Sequence, residues 1–374
     1  MDFAFSEEQE ALRKSARKYF LDQNHLKKTK DFSSIEKPLF SRDQWQHMAV
    51  DLGWLALTLP ENYDGLDLGT RELCIILEEA GRTLSPLPLL SHLALGVLAL
   101  KRLGSPKLQQ QWFPKTAAGE CLITLALSMK HPHETQWAQL IDKPHGFSVN
   151  GALSLILDAP CMDVFLVPVQ HRGEKSQSLC LVERNAPGVT IQPQPTLDPT
   201  RTYGELILDG VQLSPEAVFH PSPNLRESLK PILNVAKVAL AAESLGGAER
   251  AMDEAVEYAK TREQFDRPIG SFQAIKHICA DMLLRVESAR SALWGALWSE
   301  LNQPDEFALN ASLAKVYATE SFFQCTADSI QVHGGIGFTW EHAAHFYFKR
   351  AELNQRLFGS PSQERENLAN LLGY

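Results

Sequence analysis

Residues 241–282 read AAESLGGAERAMDEAVEYAKTREQFDRPIGSFQAIKHICADM, and residues 330–351 read IQVHGGIGFTWEHAAHFYFKRA. The first stretch closes a run from Leu225 to Thr261, rich in Ala, Leu, Val and Glu, that predicts one long helix. The second begins where another helical run, 307–332, gives out into glycines. A third run, 273–298, lies between them. Long helices with apolar stripes predict a bundle over the last part of the chain.

Upstream the texture changes. From about Cys121 to Phe219 the segments are short and β-like (LITLAL, GFSVNG, LSLIL, VFLVPV, SLCLVE, VTIQPQ, GELILDGV), with Gly, Pro and Asp between them. That spacing predicts an antiparallel sandwich or barrel. The first third is helical again. Phe5, Leu12, Ala16 and Phe20 share one helix face, and Ser6 with Gln9 makes a capping box. Pro60 to Gly65 is a turn before the run TRELCIILEEAGRTL, and Pro86 and Pro88 open LLSHLALGVLAL. The expected fold is α+β and multidomain: an N-terminal α-helical domain over 1–118, a middle antiparallel β-domain over 119–222, and a C-terminal helical bundle domain over 223–374.

Composition narrows the function. Of 374 residues 44% are hydrophobic and 22% charged, as in an ordinary globular protein, and no run approaches the ~18 apolar residues of a membrane span. The net charge of −9 disfavours a polyanionic partner, so nucleic acid is not expected. The start, MDFAFSEEQEALRKSARKYF, is acidic and lacks the features of a secretory or mitochondrial leader. Six scattered cysteines with no CxxC pair read as reduced thiols in a cytoplasm.

Two motifs carry candidate binding chemistry. Arg262 follows the long helix beside a turn, where a guanidinium can grip a phosphate in two-pronged fashion. The alternative is a solvated helix-end arginine favoured by the helix dipole. In Gln331-Val332-His333-Gly334-Gly335-Ile336-Gly337-Phe338, the glycines let backbone amides approach a pyrophosphate. The alternative is a plain helix cap and turn. This loop follows a helix, not a strand, so it is no dinucleotide-fold signature. His131 and His133, or His342 and His345, have a spacing that metals use, but no carboxylate or cysteine accompanies them and no metal is expected.

The two opening stretches, together with LALTLPENYDGLDL (55–68), ELCIILEEAGRTLSPLPLL (72–90) and LDPTRTYGELILDGV (197–211), resemble the acyl-CoA dehydrogenase family over essentially the whole chain. The resemblance implies a helical domain, a small β-domain and a C-terminal four-helix bundle. It implies a tetramer with FAD bound between subunits. By the same carry-over Arg262 and Gln273 contact FAD, Phe265 packs near the flavin, and Gln331, Gly334 and Gly335 touch the FAD of the neighbouring subunit. Leu127, Ser128, Ser362 and Gln363 fall at further cofactor positions. The flavin is then clamped by a guanidinium from one chain and a glycine-rich turn from another. The implied reaction is α,β-dehydrogenation of an acyl-CoA thioester. A carboxylate takes the α-proton, FAD accepts the β-hydrogen as hydride, and a backbone N–H helps hold the thioester oxygen. An electron-transfer flavoprotein is the implied electron acceptor.

The chain departs from the family where the base belongs. The base loop, usually similar to Tyr-Glu-Gly-Thr-Ser, reads Leu357-Phe358-Gly359-Ser360-Pro361-Ser362-Gln363, which puts Phe358 at the base position. The other family position, on the long helix, falls on Ala236. Neither accepts a proton, though the Phe358 N–H survives as a donor. Two substitutes present themselves. Glu243 lies on the face of Ala236 but about 10 Å further along, and is a base if burial raises its pKa or a structural acid if it pairs with Arg or Lys. Glu364 and Glu366 follow the loop and read as surface charges.

Other departures concern the cofactor grip. The acid and glycines that usually follow Leu127-Ser128 are missing, Leu155-Ile156-Leu157 replaces Trp-Ile-(Thr/Ser), and Asp266 replaces a glycine. Bulky Phe358 implies an altered or shortened acyl cavity. Two functions follow. One is a flavin-dependent acyl-CoA dehydrogenase of fatty acid or steroid side-chain β-oxidation, acting alone or as a subunit of a hetero-oligomer. The other is a non-catalytic family-like subunit that completes a partner's FAD site. A DNA-binding relative is disfavoured by the acidic charge.

Overall fold

The computed structural model describes residues 5–23, 26, 41–128 and 137–374. Among the described residues five α-helices precede the sheet: α1 (Glu7–Gln23), α2 (Arg42–Val50), α3 (Thr70–Arg82), α4 (Leu98–Leu103) and α5 (Pro106–Ala117). The capping box of α1 forms, since Gln9 N–H donates to Ser6 Oγ at 3.2 Å and Ser6 N–H to Gln9 Oε1 at 3.1 Å. A π-helical segment, Leu90–Val97, runs directly into α4, so the stretch opened by Pro86 and Pro88 is wound more widely than an α-helix.

The middle strands are β1 (Ile123–Leu125), β2 (Ala138–Lys143), β3 (Gly146–Leu157), β4 (Val164–His171), β5 (Gln177–Glu183), β6 (Val189–Gln194), β7 (Tyr203–Leu213) and β8 (Val218–Ser222). They form one sheet in the order β6-β7-β3-β2-β4-β5-β8. Most neighbours are antiparallel, as the pattern predicts, but the sheet is mixed. β1 lies beside Val164–Leu166 and β2 beside Val169–His171 on β4, both parallel to it. The reason is the return path: β3 reverses the chain once and residues 158–163 reverse it again, so β4 runs in the direction of β2.

The last part holds α6 (Leu225–Thr261), α7 (Gln273–Asn302), α8 (Phe307–His333), α9 (Ala344–Arg356) and α10 (Pro361–Leu371), with a small hairpin of β9 (Glu263–Gln264) and β10 (Arg267–Pro268) after α6. Side-chain contacts fix the directions. Lys237 meets Ser312 at 3.2 Å, and the Tyr258 and His333 rings lie 4.5 Å apart, so α6 and α8 run parallel. Ser321 Oγ donates to the Arg285 carbonyl, and Cys325 Sγ lies against that of Met282, so α7 opposes α8. Phe348 packs on Phe323 and Lys315 reaches Gln355, so α9 also opposes α8. These four helices form the bundle, and α10 packs beside them.

α6 is the central rod. Every residue from Val235 to Ala248 is buried, which is what an Ala-, Leu- and Val-rich helix without a polar face demands. It crosses α3 at backbone contact. A Cβ on Gly81 would stand 2.0 Å from the Glu243 carbonyl oxygen, and one on Gly246 would stand 1.8 Å from that of Glu78. Only glycine permits that approach.

Candidate functional site

α6 carries three groups of interest, at its end, its middle and its first half. At its end, Arg262 follows the last helical residue, and its carbonyl accepts from Ile269 N–H at 2.8 Å, which closes the β9–β10 turn. Phe265 and Asp266 both take positive φ (55° and 61°) at the tip of this turn. Phe265 is 87% exposed, with its ring 6.1 Å from that of Phe272, next to Gln273. Tyr258, one turn before Arg262, meets His333, the residue before Gly334. Arg262, Phe265, Gln273, Gln331, Gly334 and Gly335 therefore gather at one end of one bundle. Within the chain, α6 and α8 run parallel, so the ends that carry the guanidinium and the glycine turn coincide.

This end suits a phosphate-bearing ligand. No carboxylate pairs with Arg262 among the described residues. Gly334 has φ 63°, and a Cβ on Gly334 or Gly335 would meet nothing within 4 Å, so the turn's backbone is open. Gln273 and Gln331 are exposed amides beside it. A guanidinium with amide donors and open backbone fits the dinucleotide part of FAD. The other carried-over contacts lie elsewhere. Leu127 and Ser128 are buried just past β1. Ser362 and Gln363 are in the first turn of α10, where Gln363 closes a capping box with Ser360.

His342 does not share a helix with His345. It precedes α9, and its Nδ1 accepts from Ala344 N–H at 3.1 Å, capping the helix. His131 and His133 lie outside the described residues. The six cysteines are free.

In the middle of α6, Glu243 is 4% exposed and fully engaged. Its Oε2 accepts from Arg201 Nη2 at 2.5 Å, and its Oε1 accepts from Arg350 Nη1 at 3.1 Å and Asn354 Nδ2 at 3.2 Å. Arg350 also donates from Nε to Asp198 at 2.6 Å and from Nη2 to Thr200 O at 2.6 Å. Burial by itself raises the Glu243 pKa, but Arg201 and Arg350 outweigh it and hold the carboxyl below its usual range. A carboxylate with both oxygens occupied and a lowered pKa is a weak proton acceptor.

In the first half of α6 stands Ala236. Its methyl is 0% exposed, and Phe358 in the opposing loop is 6% exposed at φ 57°. No acceptor lies within hydrogen-bonding geometry of the Phe358 N–H among the described residues, so this donor is unspent. Charged groups flank both positions. Lys237 pairs with Glu364 at 2.6 Å, and both are buried. The surface reading thus holds for Glu366, which is exposed, and fails for Glu364, whose helix turns it inward. Lys315 of α8 donates to the carbonyls of Gln355 and Gly359.

Comparison with known proteins settles the family. Residues 6–120 match the description "Acyl-CoA dehydrogenase, N-terminal domain", and residues 227–372 match "Acyl-CoA dehydrogenase, C-terminal domain". The acyl-CoA dehydrogenase IpdE2 of Mycobacterium tuberculosis is 32% identical over 324 residues, covering 87% of this chain and 85% of its own. The chain belongs to the acyl-CoA dehydrogenase family.

Among solved structures, this acyl-CoA dehydrogenase is similar to a chain of the ChsE4-ChsE5 complex from Mycobacterium tuberculosis, with TM-score 0.87, 27% identity, and coverage of 100% of this chain and 99% of that one. It is also similar to a chain of a variant of the Tcur3481-Tcur3483 steroid ACAD, with TM-score 0.84, 28% identity and 98% of each chain covered. As a family member it is a FAD-dependent oxidoreductase acting on the CH–CH bond of acyl-CoA, alone or within a hetero-oligomer. No described helix is long and apolar enough to cross a membrane.

The sequence signals missed Arg201, Arg350, Asn354, Lys237 and Lys315. The two lysines were detectable in principle, because each interrupts an apolar helical run (Val235-Ala236-Lys237-Val238 and Leu313-Ala314-Lys315-Val316). A lysine amid such neighbours needs a buried partner.

Proposed function

We propose that this chain is a subunit of a hetero-oligomeric acyl-CoA dehydrogenase whose proton-abstracting carboxylate belongs to another chain. One observation carries the reading: the Ala236 methyl has no accessible surface. A side chain with none borders no void wide enough for a water, hence none wide enough for an acyl chain. The Ala236 position is therefore closed to ligand, and the Phe358 position is apolar and nearly buried. Glu243, the remaining candidate, serves instead as a structural acid joining α6 to α9 and to the segment before β7.

The open end of the bundle supports the cooperative part of the reading. Arg262, Gln273, Gln331, Gly334 and Gly335 would hold the phosphate-bearing part of FAD, with Phe265 near the flavin and Leu127, Ser128, Ser362 and Gln363 as further contacts. Bound FAD supplies the two-electron acceptor. The protein's own task at this end is to orient phosphates and to neutralise their charge. The paired names of the ChsE4-ChsE5 and Tcur3481-Tcur3483 relatives favour a two-chain assembly, and the word "steroid" in the second favours a steroid side-chain acyl-CoA. We extend the proposal to a cytoplasmic tetramer that passes electrons to an electron-transfer flavoprotein, on family kinship. A second reading, an enzyme acting alone, is favoured by the unspent Phe358 N–H. That donor can polarise a thioester, but it leaves the α-proton without an acceptor.

The test is expression alone and together with a base-bearing family member. The expected result is acyl-CoA-dependent bleaching of flavin absorbance only in the co-purified oligomer. Anaerobic bleaching of the chain purified alone would overturn the proposal.

A further inference from the structure

We propose that Lys315, acting with the Lys237–Glu364 ion pair, is the positioning residue that locks the Leu357–Ser360 loop over the acyl position. The proposal rests on the closed-pocket part of the reading above. Lys315 is 0% exposed, and its ammonium donates to the carbonyls of Gln355, at 2.9 Å, and Gly359. Those carbonyls bracket Phe358. One belongs to the last turn of α9, whose terminal carbonyls lack helical partners, and the other to the residue just past Phe358. A single side chain from α8 thus pins both flanks of the loop.

The ion pair supplies the other side of the clamp. Lys237 follows Ala236 on α6, and Glu364 lies six residues beyond Phe358 on α10, so their 2.6 Å contact ties the two base-position segments directly together. Lys237 is also anchored to Ser312. The loop backbone is pressed against this pair: a Cβ on Gly359, which has φ 105°, would stand 2.7 Å from Glu364 Oε1. The left-handed φ of Phe358 is costly for a bulky residue and persists only where the surroundings enforce it. The clamp is that enforcement.

The charges facing Lys315 are Glu364 from α10, Lys237 from α6 and Glu320 on its own helix, while α9 presents carbonyls only. Burial is the largest influence and lowers the Lys315 pKa to about 8, so the ammonium is present at neutral pH and partly lost above it.

The experiment is a double-mutant cycle in the full chain, using hexanoyl-CoA as probe and calorimetry as readout. Lys315→Met and Phe358→Ala are each expected to raise affinity at least about tenfold, with the double variant within about twofold of the better single one. Additive effects, or a Lys315→Met that binds no better than wild type, overturn the lock. Should Lys315→Met fail to fold, hydrogen exchange of the wild-type loop amides decides. Corrected for intrinsic rate, protection across Leu357–Ser360 is expected to fall as pH rises through about 8, and unchanged protection overturns the proposal. These readouts concern ligand entry and loop motion in this chain alone. A lock confirmed here with no flavin in the co-purified oligomer removes the functional reading and leaves the lock standing.

Discussion

Arg350 Nε lies 2.6 Å from Asp198 Oδ2, which bolts the C-terminal bundle to the segment leading into β7. Both residues are buried, and the same guanidinium reaches Glu243 on α6. Removing one partner of such a pair strands a charge without water. Asp198→Asn and Arg350→Met should each cost about 3–5 kcal/mol of stability, read from urea midpoints. A loss below about 1 kcal/mol would mean the network contributes little.

Glu243→Gln tests the same network from its third corner. The Glu243 pKa is lowered on folding from 4.5, so its stabilising contribution is complete above that value and fades as pH falls through the lower folded pKa. The stability gap between wild type and Glu243→Gln should therefore be large at pH 7 and shrink below pH 4.5. In the assembled enzyme the acidic limb of the pH–rate profile, where a general base becomes protonated, should not move. A shift or loss of that limb would restore Glu243 as a base.

Gly81→Ala and Gly246→Ala should destabilise, although helix propensity alone favours alanine by about 1 kcal/mol. The obstacle at each site is a backbone carbonyl, which cannot swing aside. A net loss of about 2–3 kcal/mol by chemical denaturation is expected. A neutral outcome at both sites would show that α3 and α6 separate readily.

His92 should remain neutral well into acid. It is wholly buried, and its Nδ1 accepts from Ile123 N–H at 3.0 Å. Burial lowers its pKa from 6.5 to about 3. Between those values the unfolded chain binds a proton that the folded chain does not, so this residue erodes stability by up to about 1.4 kcal/mol per pH unit as pH falls. Imidazole NMR shifts should stay flat from pH 8 to about 4.5, and a titration near 6.5 would contradict the burial.

Arg262→Ala should separate cofactor binding from folding. Among the described residues Arg262 has no carboxylate partner to lose, so thermal stability of the unliganded chain should hold within experimental error. Flavin retained by the co-purified oligomer should fall at least about tenfold in affinity, the scale of a lost charge-assisted contact. Equal losses in stability and flavin would assign Arg262 a structural role.

Much of this protein was legible from residue order. The capping box at Ser6, the long apolar rod of α6 and the helical runs around it follow from side-chain periodicity and local hydrogen bonding, which act over a few residues. It was equally plain that Phe358 and Ala236, at the positions where the family resemblance puts the base, accept no proton wherever they sit. Tertiary structure decided the rest. Arg201 and Arg350 meet Glu243 from 42 and 107 residues away, and which buried acid finds which base depends on how helix and sheet dock. The inward turn of Glu364, the parallel strands beside β4 and the shared bundle end of Arg262 and Gly334 have the same origin. Burial and chain direction are properties of packing between distant segments, and no local pattern encodes them.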